Sequence, residues 1–588
     1  MREFNCFGVR RFSATIAKIG AMALLGLVCH TATAQHAPVN VMLIVVDDLQ
    51  NDSTGLLQTP HIDALAAQGV SFLNAYTPVP VCGAARAAFL SGVLPTRGQN
   101  SAFNASPPNV QTLPDTFVAG NYRTRSLGKV YHNTGQSPTS GPADDLDGWT
   151  DGVWRSSIDW LHWQDRNPTD PSTGRGPAFE SGIGVEDDFY ADGDTANQAL
   201  QDIGTLSQTG QPFFLAVGFD RPHLPFNAPD RYWDMYDPSE IVLPTNRTPP
   251  AGSPSSISGS GELTSYGGIP GLTTRNTDGN FSDELRRHLI HGYLASTTYA
   301  DAQIGRVIAA LDDPNGDGDT SDSIRDNTIV ALVSDHGYHL GEHGFWGKHN
   351  LLDRSLSIPL IISDPRHSQT AGQTSDALVS AMDLYPTLAS LASLATPGHV
   401  EGNNLEPLLI NPNRDWAEYV YSHFNGGDSI RTDRYRYIQY TNGQEALFDM
   451  IADPGETQNV LGTAPAADVQ HVRDIMANHF ANGWQPYQTG TVGDLNGDGS
   501  IDLADYIDFL NGLNTSLAGL TTAQAYARGD LNGDFAVNLR DFILFEQAFD
   551  AANGAGALAA LGSSVPEPSS AVVVSGLLVL FVARHYVR

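Results

Sequence analysis

"VNVMLIVVDDL", residues 39–49, is an unbroken apolar run that stops on two carboxylates, Asp47 and Asp48. A strand that is apolar on both faces belongs inside a covered sheet, and acids at its carboxyl end lie where α/β sheets collect ligands. "TPHIDALAAQGVSF" (59–72) follows, with Thr59 as N-cap, Pro60 at the first helical position, and Ile62, Leu65, Ala66 and Val70 at helical spacing. The rhythm returns with a strand in "PFFLAVGFD" (212–220), a helix in "YADAQIGRVIAALDD" (299–313) and a strand in "NTIVALVSDHG" (327–337). "IPLIIS" (358–363) and the helical "DALVSAMDLYPTLASLA" (376–392) continue it. Alternation of this kind predicts an α/β fold, a large mostly parallel sheet sandwiched by helices. Beyond residue 400, "YRYIQYTNGQEALFDM" (435–450) reads as two strands about an Asn-Gly turn, so a small antiparallel subdomain over about 400–482 closes a unit that begins near residue 35.

The first 34 residues carry Arg2, Arg10, Arg11 and Lys18, then "IGAMALLGLVC", then small residues at Ala32 and Ala34. That order is a secretory leader, with cleavage after Ala34; lipoprotein processing at Cys29 is the weaker alternative. Export predicts a secreted, periplasmic or cell-surface protein. With 588 residues and 41% hydrophobic content the chain can build a large core and an accessory domain. A formal net charge of -33 excludes a nucleic-acid partner, whose phosphates need surplus Lys and Arg. Of the three cysteines, Cys6 and Cys29 lie in the leader, which leaves Cys82 as a sole thiol to be explained in an oxidising compartment.

"DLNGDGSIDLAD" (494–505) recurs 36 residues on as "DLNGDFAVNLRD" (530–541). Asp494, Asn496, Asp498, Ser500 and Asp505, then Asp530, Asn532, Asp534 and Asp541, present oxygens at the spacing that wraps Ca2+. Phe535 replaces the turn glycine, so the second loop is expected to bind more weakly. The pair over 490–550 resembles a type I dockerin, a small helical EF-hand-like repeat domain; a cohesin-like or cell-surface partner is compatible with that resemblance, but the sequence alone implies none. In the last stretch, 551–588, "SSVPEPSSAVVVSGLLVLFVARHYVR" resembles a PEP-CTERM sorting tail, through which any membrane contact would run. Its apolar run from Ala571 to Ala583 falls short of the roughly 20 residues of a comfortable span, and a single-pass anchor is the alternative. The Asp- and Asn-rich loop at 312–323 has Ile324 at position twelve and reads as a solvated turn.

Asp335 and His336 end another apolar strand, so three carboxylates are expected at one sheet edge, where a divalent cation relieves their repulsion. Cys82 opens "CGAARAAFLSG" (82–92), which places its side chain at a helix N-terminus with Arg86 one turn on and on the same face. A nucleophile position beside a fixed guanidinium suits an anionic substrate.

"VCGAARAAFLSG" (81–92) resembles the signature of the formylglycine-dependent type I sulfatases, in which Cys precedes Pro, Ser and Arg; here Ala84 and Ala85 replace the Pro and Ser. "TPHIDALAAQGVSFLNAYT", "LPDTFVAGNYRTRSLGKVYH", "FFLAVGFDRPHLPF", "SDHGYHLGEHGFWGKH" and "LFDMIADPGETQNV" are similar to further blocks in the family's order, over about residues 41–461. "GKVYH" and "RPHLPF" are most similar to the iduronate-2-sulfatase branch. The resemblance implies the alkaline-phosphatase-like sulfatase fold and hydrolysis of a sulfated carbohydrate. It implies that Cys82 is oxidised to formylglycine, whose hydrate attacks sulfur, expels the alcohol and then releases sulfate. It assigns Asp47, Asp48, Asp335, His336 and the modified Cys82 to a catalytic Ca2+, Arg86 and Lys129 to the nucleophile, and His132, His223 and Lys348 to the sulfate, with His132 or His223 as general acid. Two alternatives stand beside it: a phosphoester or phosphonate monoester hydrolase of the same superfamily, and a non-catalytic surface protein that binds sulfated glycans.

Overall fold

The computed structural model describes residues 38–482 except 52–53, 95–109, 133–147, 165–174, 268 and 270–277, and parts of 493–558. Residues 39–489 make one compact unit, and 490–588 belong to another.

The larger unit is built on an eight-stranded sheet. Its strands in chain order are β1 (Asn40–Val46), β2 (Val70–Tyr76), β3 (Arg123–Gly128), β4 (Val153–Trp154), β5 (Phe213–Phe219), β6 (Thr328–Ser334), β7 (Leu360–Ser363) and β8 (Gln373–Ser380). They lie in the order β8-β2-β7-β6-β1-β5-β3-β4. The run that opened the analysis is central: β1 pairs in parallel with β5 on one side and β6 on the other. Its side chains alternate between two cores. Val41, Leu43 and Val45 pack with Phe89, Leu90, Tyr385 and Leu388 of helices α2 (Cys82–Ser91) and α6 (Leu384–Leu391). Met42, Ile44 and Val46 pack with α1 (Pro60–Ala66), α4 (Ala191–Ser207) and α5 (Asp283–Ala309) through Leu65, Ile203 and Ile304. α3 (Leu113–Ala119) sets Phe117 in the first core and carries a capping box between Thr112 and Asp115.

Four expectations need correction. Val70, expected at helical spacing after Ala66, instead opens β2 and pairs with Ile362, because α1 stops at Ala66 and Gly69 packs against the Ile362 backbone. "IPLIIS" forms β7, but it runs antiparallel to both neighbours, β6 and β2. Parallel neighbours need a crossover past the sheet, and residues 335–359 hold only two-residue strands, a 3-10 turn and a four-residue helix, so the chain re-enters from the edge it left. "DALVSAMD" is strand and turn rather than helix: β8 pairs in parallel with β2, and the helix starts only at Leu384, after a Ser380–Asp383 capping box. Pairing with β2 overrides local helical spacing there. Finally, α5 starts at Asp283, well before Tyr299, because Ser282 caps it by accepting from the Leu285 N–H, with Asp283 and Glu284 in the first turn.

Gly128 and Gly218 face each other in register at the carboxyl ends of β3 and β5. A Cβ on Gly218 would overlap the Lys129 carbonyl, which accepts from Arg86. Gly218→Ala is therefore expected to lower stability by about 1–3 kcal/mol or more, read by thermal unfolding; an unaltered transition would contradict that packing.

A four-stranded antiparallel sheet follows: β9 (Tyr419–Phe424), β10 (Gly427–Thr432), β11 (Tyr435–Tyr440) and β12 (Glu445–Asp449), adjacent in that order, with Asn442 and Gly443 at the expected turn. Helix α7 (Ala466–Asn482) packs on it through Val472 and Met476. The loop at 312–323 is largely exposed, and its Asp313 carboxylate accepts from the backbone N–H groups of Gly316, Asp317 and Gly318.

In the C-terminal unit, α8 (Leu503–Gly512) and α9 (Leu539–Asn553) contribute Tyr506, Phe509, Phe545 and Phe549 to one core. The repeat is visible in its hydrogen bonds: Asp505 accepts from Leu495 N–H at 2.7 Å and Asp541 from Leu531 N–H at 2.9 Å. Asp494, Asn496, Asp498, Asp530, Asn532 and Asp534 lie outside the described residues, as do the leader and the sequence beyond 558; Ser500 is exposed. Among the described residues no helix is long and apolar enough to cross a membrane.

Candidate active site

Four adjacent parallel strands deliver charge to one edge. Asp335 and His336 directly follow β6, Asp47 and Asp48 follow β1, Asp220 follows β5, and Lys129 follows β3. Asp48 adopts a left-handed backbone, φ 62°. The turn is held by Tyr293 Oη, which donates to the Asp48 carbonyl at 2.8 Å, and by Asp335 Oδ1, which accepts from Asp48 N–H at 3.2 Å. Strain of this kind, of order 1–3 kcal/mol, is typical of residues whose placement matters more than their comfort.

Cys82 is the first residue of α2, and its Sγ lies 3.2 Å from His336 Nε2. Burial, and next the Asp47 carboxylate, push the thiol well above its ordinary range. One turn on, Arg86 is wholly buried. Its Nε donates to Asp335 Oδ2 at 2.8 Å, Nη2 to Asp47 Oδ1 at 3.2 Å, and Nη1 to the carbonyls of Val130, at 3.1 Å, and Lys129. Lys129 Nζ donates to Asp47 Oδ2 and lies 3.9 Å from Asp220 Oδ1. Burial alone would raise Asp47, but Lys129, His223 and Arg86 together hold it well below the usual carboxylate range.

Lys348 Nζ donates to both Asp48 oxygens, at 2.7 and 2.9 Å, and lies 3.0 Å from Glu262 Oε2. His223 turns Nδ1 to the Leu224 carbonyl at 2.6 Å and Nε2 to Glu262 Oε1 at 3.1 Å. Both ring nitrogens face oxygen atoms. His132 follows Lys129 by three residues, and burial, then the Lys129 charge, bring its imidazolium form far below the ordinary histidine range.

The donor set fits a divalent cation. Asp47, Asp48, Cys82 and His336 each offer a ligand atom within 4.8 Å of the others. His336 Nδ1 lies 3.0 Å from the Gly337 carbonyl and its Nε2 3.4 Å from Asp48 Oδ1; a ring that donates from Nδ1 would turn its Nε2 lone pair to a cation held by the acids. Asp335 stands beside the quartet, its Oδ1 3.7 Å from His336 Nε2. Among the described residues, five carboxylates (Asp47, Asp48, Asp220, Asp335, Glu262) contact the four fixed cations Arg86, Lys129, Lys348 and Arg175, a surplus of one negative charge.

The structure thus gathers every residue expected at this centre. Sequence reasoning missed Asp220 and Glu262. Asp220 carried a usable signal, an acid ending an apolar strand as Asp47 and Asp335 do. Glu262 carried none: it lies in "SGSGELTSYG" (258–267), which has neither periodicity nor motif.

Residues 39–394 match the family model described as Sulfatase, and residues 341–480 match that of N-sulphoglucosamine sulphohydrolase, C-terminal. The chain belongs to the sulfatase family and is a sulfuric ester hydrolase. A sulfatase of Formosa agariphila is 28% identical over 447 residues, 71% of this chain and 82% of that protein. Iduronate 2-sulfatase of Homo sapiens is 30% identical over 400 residues, 61% of this chain and 70% of that protein. In fold the chain is similar to a crystal structure of the phosphonate monoester hydrolase of Agrobacterium radiobacter, with TM-score 0.61 at 23% identity, covering 75% of this chain and 95% of that one. The architecture is the alkaline-phosphatase-like sulfatase fold.

Proposed function

We propose that the protein is an exported, Ca2+-dependent sulfatase that removes sulfate esters from a sulfated carbohydrate of the kind iduronate 2-sulfatase acts on, with residue 82 matured to formylglycine. The observation that carries this reading is the approach of Cys82 to His336 at the N-terminus of α2, inside a ring of Asp47, Asp48, Arg86, Lys129, His223 and Lys348. A divalent cation held by Asp47, Asp48, Asp335, His336 and residue 82 would supply Lewis-acid charge to the sulfuryl oxygens. A matured residue 82 would supply two hydroxyls on one carbon, one to attack sulfur and a second whose loss of a proton lets sulfate depart and the aldehyde return, an exit that a serine ester lacks.

The chain's own residues do the rest. Arg86 and Lys129 fix the acids behind residue 82 and orient it. Lys348 and His223 present donors to sulfuryl oxygens where negative charge builds. Of the two candidate acids, His223 is the better: with Nδ1 on the Leu224 carbonyl, its Nε2 is the nitrogen that can hand a proton to the leaving alcohol oxygen, whereas desolvation and the Lys129 charge disfavour the imidazolium form of half-buried His132. The leader at 1–34 supports export. The 490–550 repeat, with Ca2+ in its loops, would serve attachment to a cohesin-like or cell-surface partner, and the 551–588 tail would sort or anchor the chain.

The test is a panel of defined sulfated oligosaccharides given to protein purified from its native host, with mass spectrometry of the peptide spanning residue 82. Sulfate release from a terminal 2-O-sulfated uronate and an aldehyde mass at residue 82 are expected. An intact thiol with no release would leave only glycan binding, and cleavage of a chromogenic phosphonate but of no sulfate would favour the phosphonate monoester hydrolase reading.

A further inference from the structure

Glu262 opens the short 3-10 turn Glu262–Ser265. Leu263 and Tyr266 anchor that turn in a core cluster with Leu224 and Tyr338, so its position is set by packing. The carboxylate spans His223 and the Lys348 ammonium, with Oε1 3.1 Å from His223 Nε2 and Oε2 3.0 Å from Lys348 Nζ. The Arg175 guanidinium is close as well, its Nη1 3.5 Å from Oε1. Asp48, His223 and Glu262 could together hold a metal by spacing alone, but the Lys348 ammonium already bridges Asp48 and Glu262, so the trio has its cation. Glu262 therefore has a different consequence: a fixed negative charge beside both donors that face the ester in the proposed mechanism.

We infer that Glu262 is a specificity-determining residue that tunes the pocket to singly charged esters and against doubly charged ones. The inference rests on the sulfate-ester reading above. A sulfate monoester carries one negative charge, whereas a phosphate monoester carries close to two above its second pKa of about 6. Repulsion from a fixed carboxylate scales with the charge of the bound group, so the dianion is penalised twice where the monoanion is penalised once. Removing that carboxylate helps both, and helps the dianion more. A role confined to holding Lys348 and His223 in place would predict a different pattern, because geometry does not distinguish a sulfate from an equally tetrahedral phosphate.

The experiment compares the full-length matured wild type with Glu262→Gln on three p-nitrophenyl esters at about pH 8: the sulfate, a phenylphosphonate (both monoanions) and the phosphate (a dianion). The kcat/KM ratio of phosphate to sulfate is expected to rise by roughly tenfold in the variant, and the ratio of phosphonate to sulfate to stay within about twofold. Glu262→Asp keeps the charge and should keep the wild-type ratios. Glu262→Ala removes the charge without adding an amide and should reproduce the shift. In the wild type alone, the phosphate-to-phosphonate ratio should rise as pH falls through about 6 and the phosphate ester becomes a monoanion. An unchanged phosphate-to-sulfate ratio in the neutral variants, a phosphonate that moves with the phosphate, or a wild-type ratio that does not depend on pH would each overturn the inference. A wild type that cleaves the phosphonate but not the sulfate would sink the parent reading and still leave the charge comparison readable on the other two esters.

Discussion

Cys82→Ala is expected to lose more than about ten-thousandfold in sulfate-ester turnover while its thermal unfolding stays close to that of the wild type. The two halves of that expectation have separate causes. On the proposed mechanism turnover is lost because the Sγ position, 3.2 Å from His336 Nε2 and grouped with Asp47 and Asp48, is where the attacking group would form, and alanine can neither be oxidised to an aldehyde nor attack sulfur. The fold is kept because α2 is fixed by other residues: Phe89 and Leu90 are fully buried in the sheet's core, Arg86 ties the helix to β1 and β6, and Gly92 ends it in a left-handed turn at φ 69°. Removing one sulfur from a polar pocket leaves a small void rather than an unpaired charge. Sulfate release and calorimetric unfolding on the same preparation check both halves. A variant within tenfold of wild-type turnover would remove residue 82 from the chemistry.

The strands that carry the site were legible in the sequence because they are buried on both faces. β1, β5 and β6 are continuous apolar runs, and an acid directly after such a run marks the carboxyl end of a covered strand. The relation between Cys82 and Arg86 was legible for a similar reason, since a spacing of four on a helix fixes a shared face. Strand direction was not, because apolar periodicity is the same read either way; β7 is antiparallel only because of how 335–359 returns. The N-terminal half of α5 escaped because its first turns are polar and its identity rests on the Ser282 cap. Lys129, His132, His223 and Lys348 carry no local signal of function and could be named only through family resemblance. Glu262 belongs to neither class. Its importance lies in long-range contacts with His223 and Lys348, and one sequence records nothing of that proximity.

Arg86→Ala is expected to cost stability as well as turnover, and this separates it from Cys82→Ala. The guanidinium is the shared partner of Asp47 and Asp335, both fully buried, and of two backbone carbonyls. Deleting one member of a buried charge network leaves its partners desolvated and unpaired, a loss of about 3–5 kcal/mol. The loss is expected to depend on pH with a definite sign. Burial already raises Asp335 above its ordinary range, and Arg86 is the largest opposing influence, so without Arg86 the folded-state pKa climbs further. A carboxyl whose folded pKa is raised binds its proton more tightly in the folded state. Its contribution to stability is complete below the unfolded value and is lost as pH rises through the folded one. The deficit of Arg86→Ala relative to wild type should therefore be smaller near pH 4 than at neutrality, while part of it persists at pH 4 because Asp47, held well below the usual carboxylate range, loses its partner too. Arg86→Lys, which restores a point charge but not the fork that reaches both acids and both carbonyls, should recover only part of it. Denaturant unfolding of the three proteins at about pH 4.5 and about pH 7.5 gives the comparison. Equal deficits at the two values would mean that Asp335 does not feel the loss of its partner and that the site's acids are neutralised by some other charge.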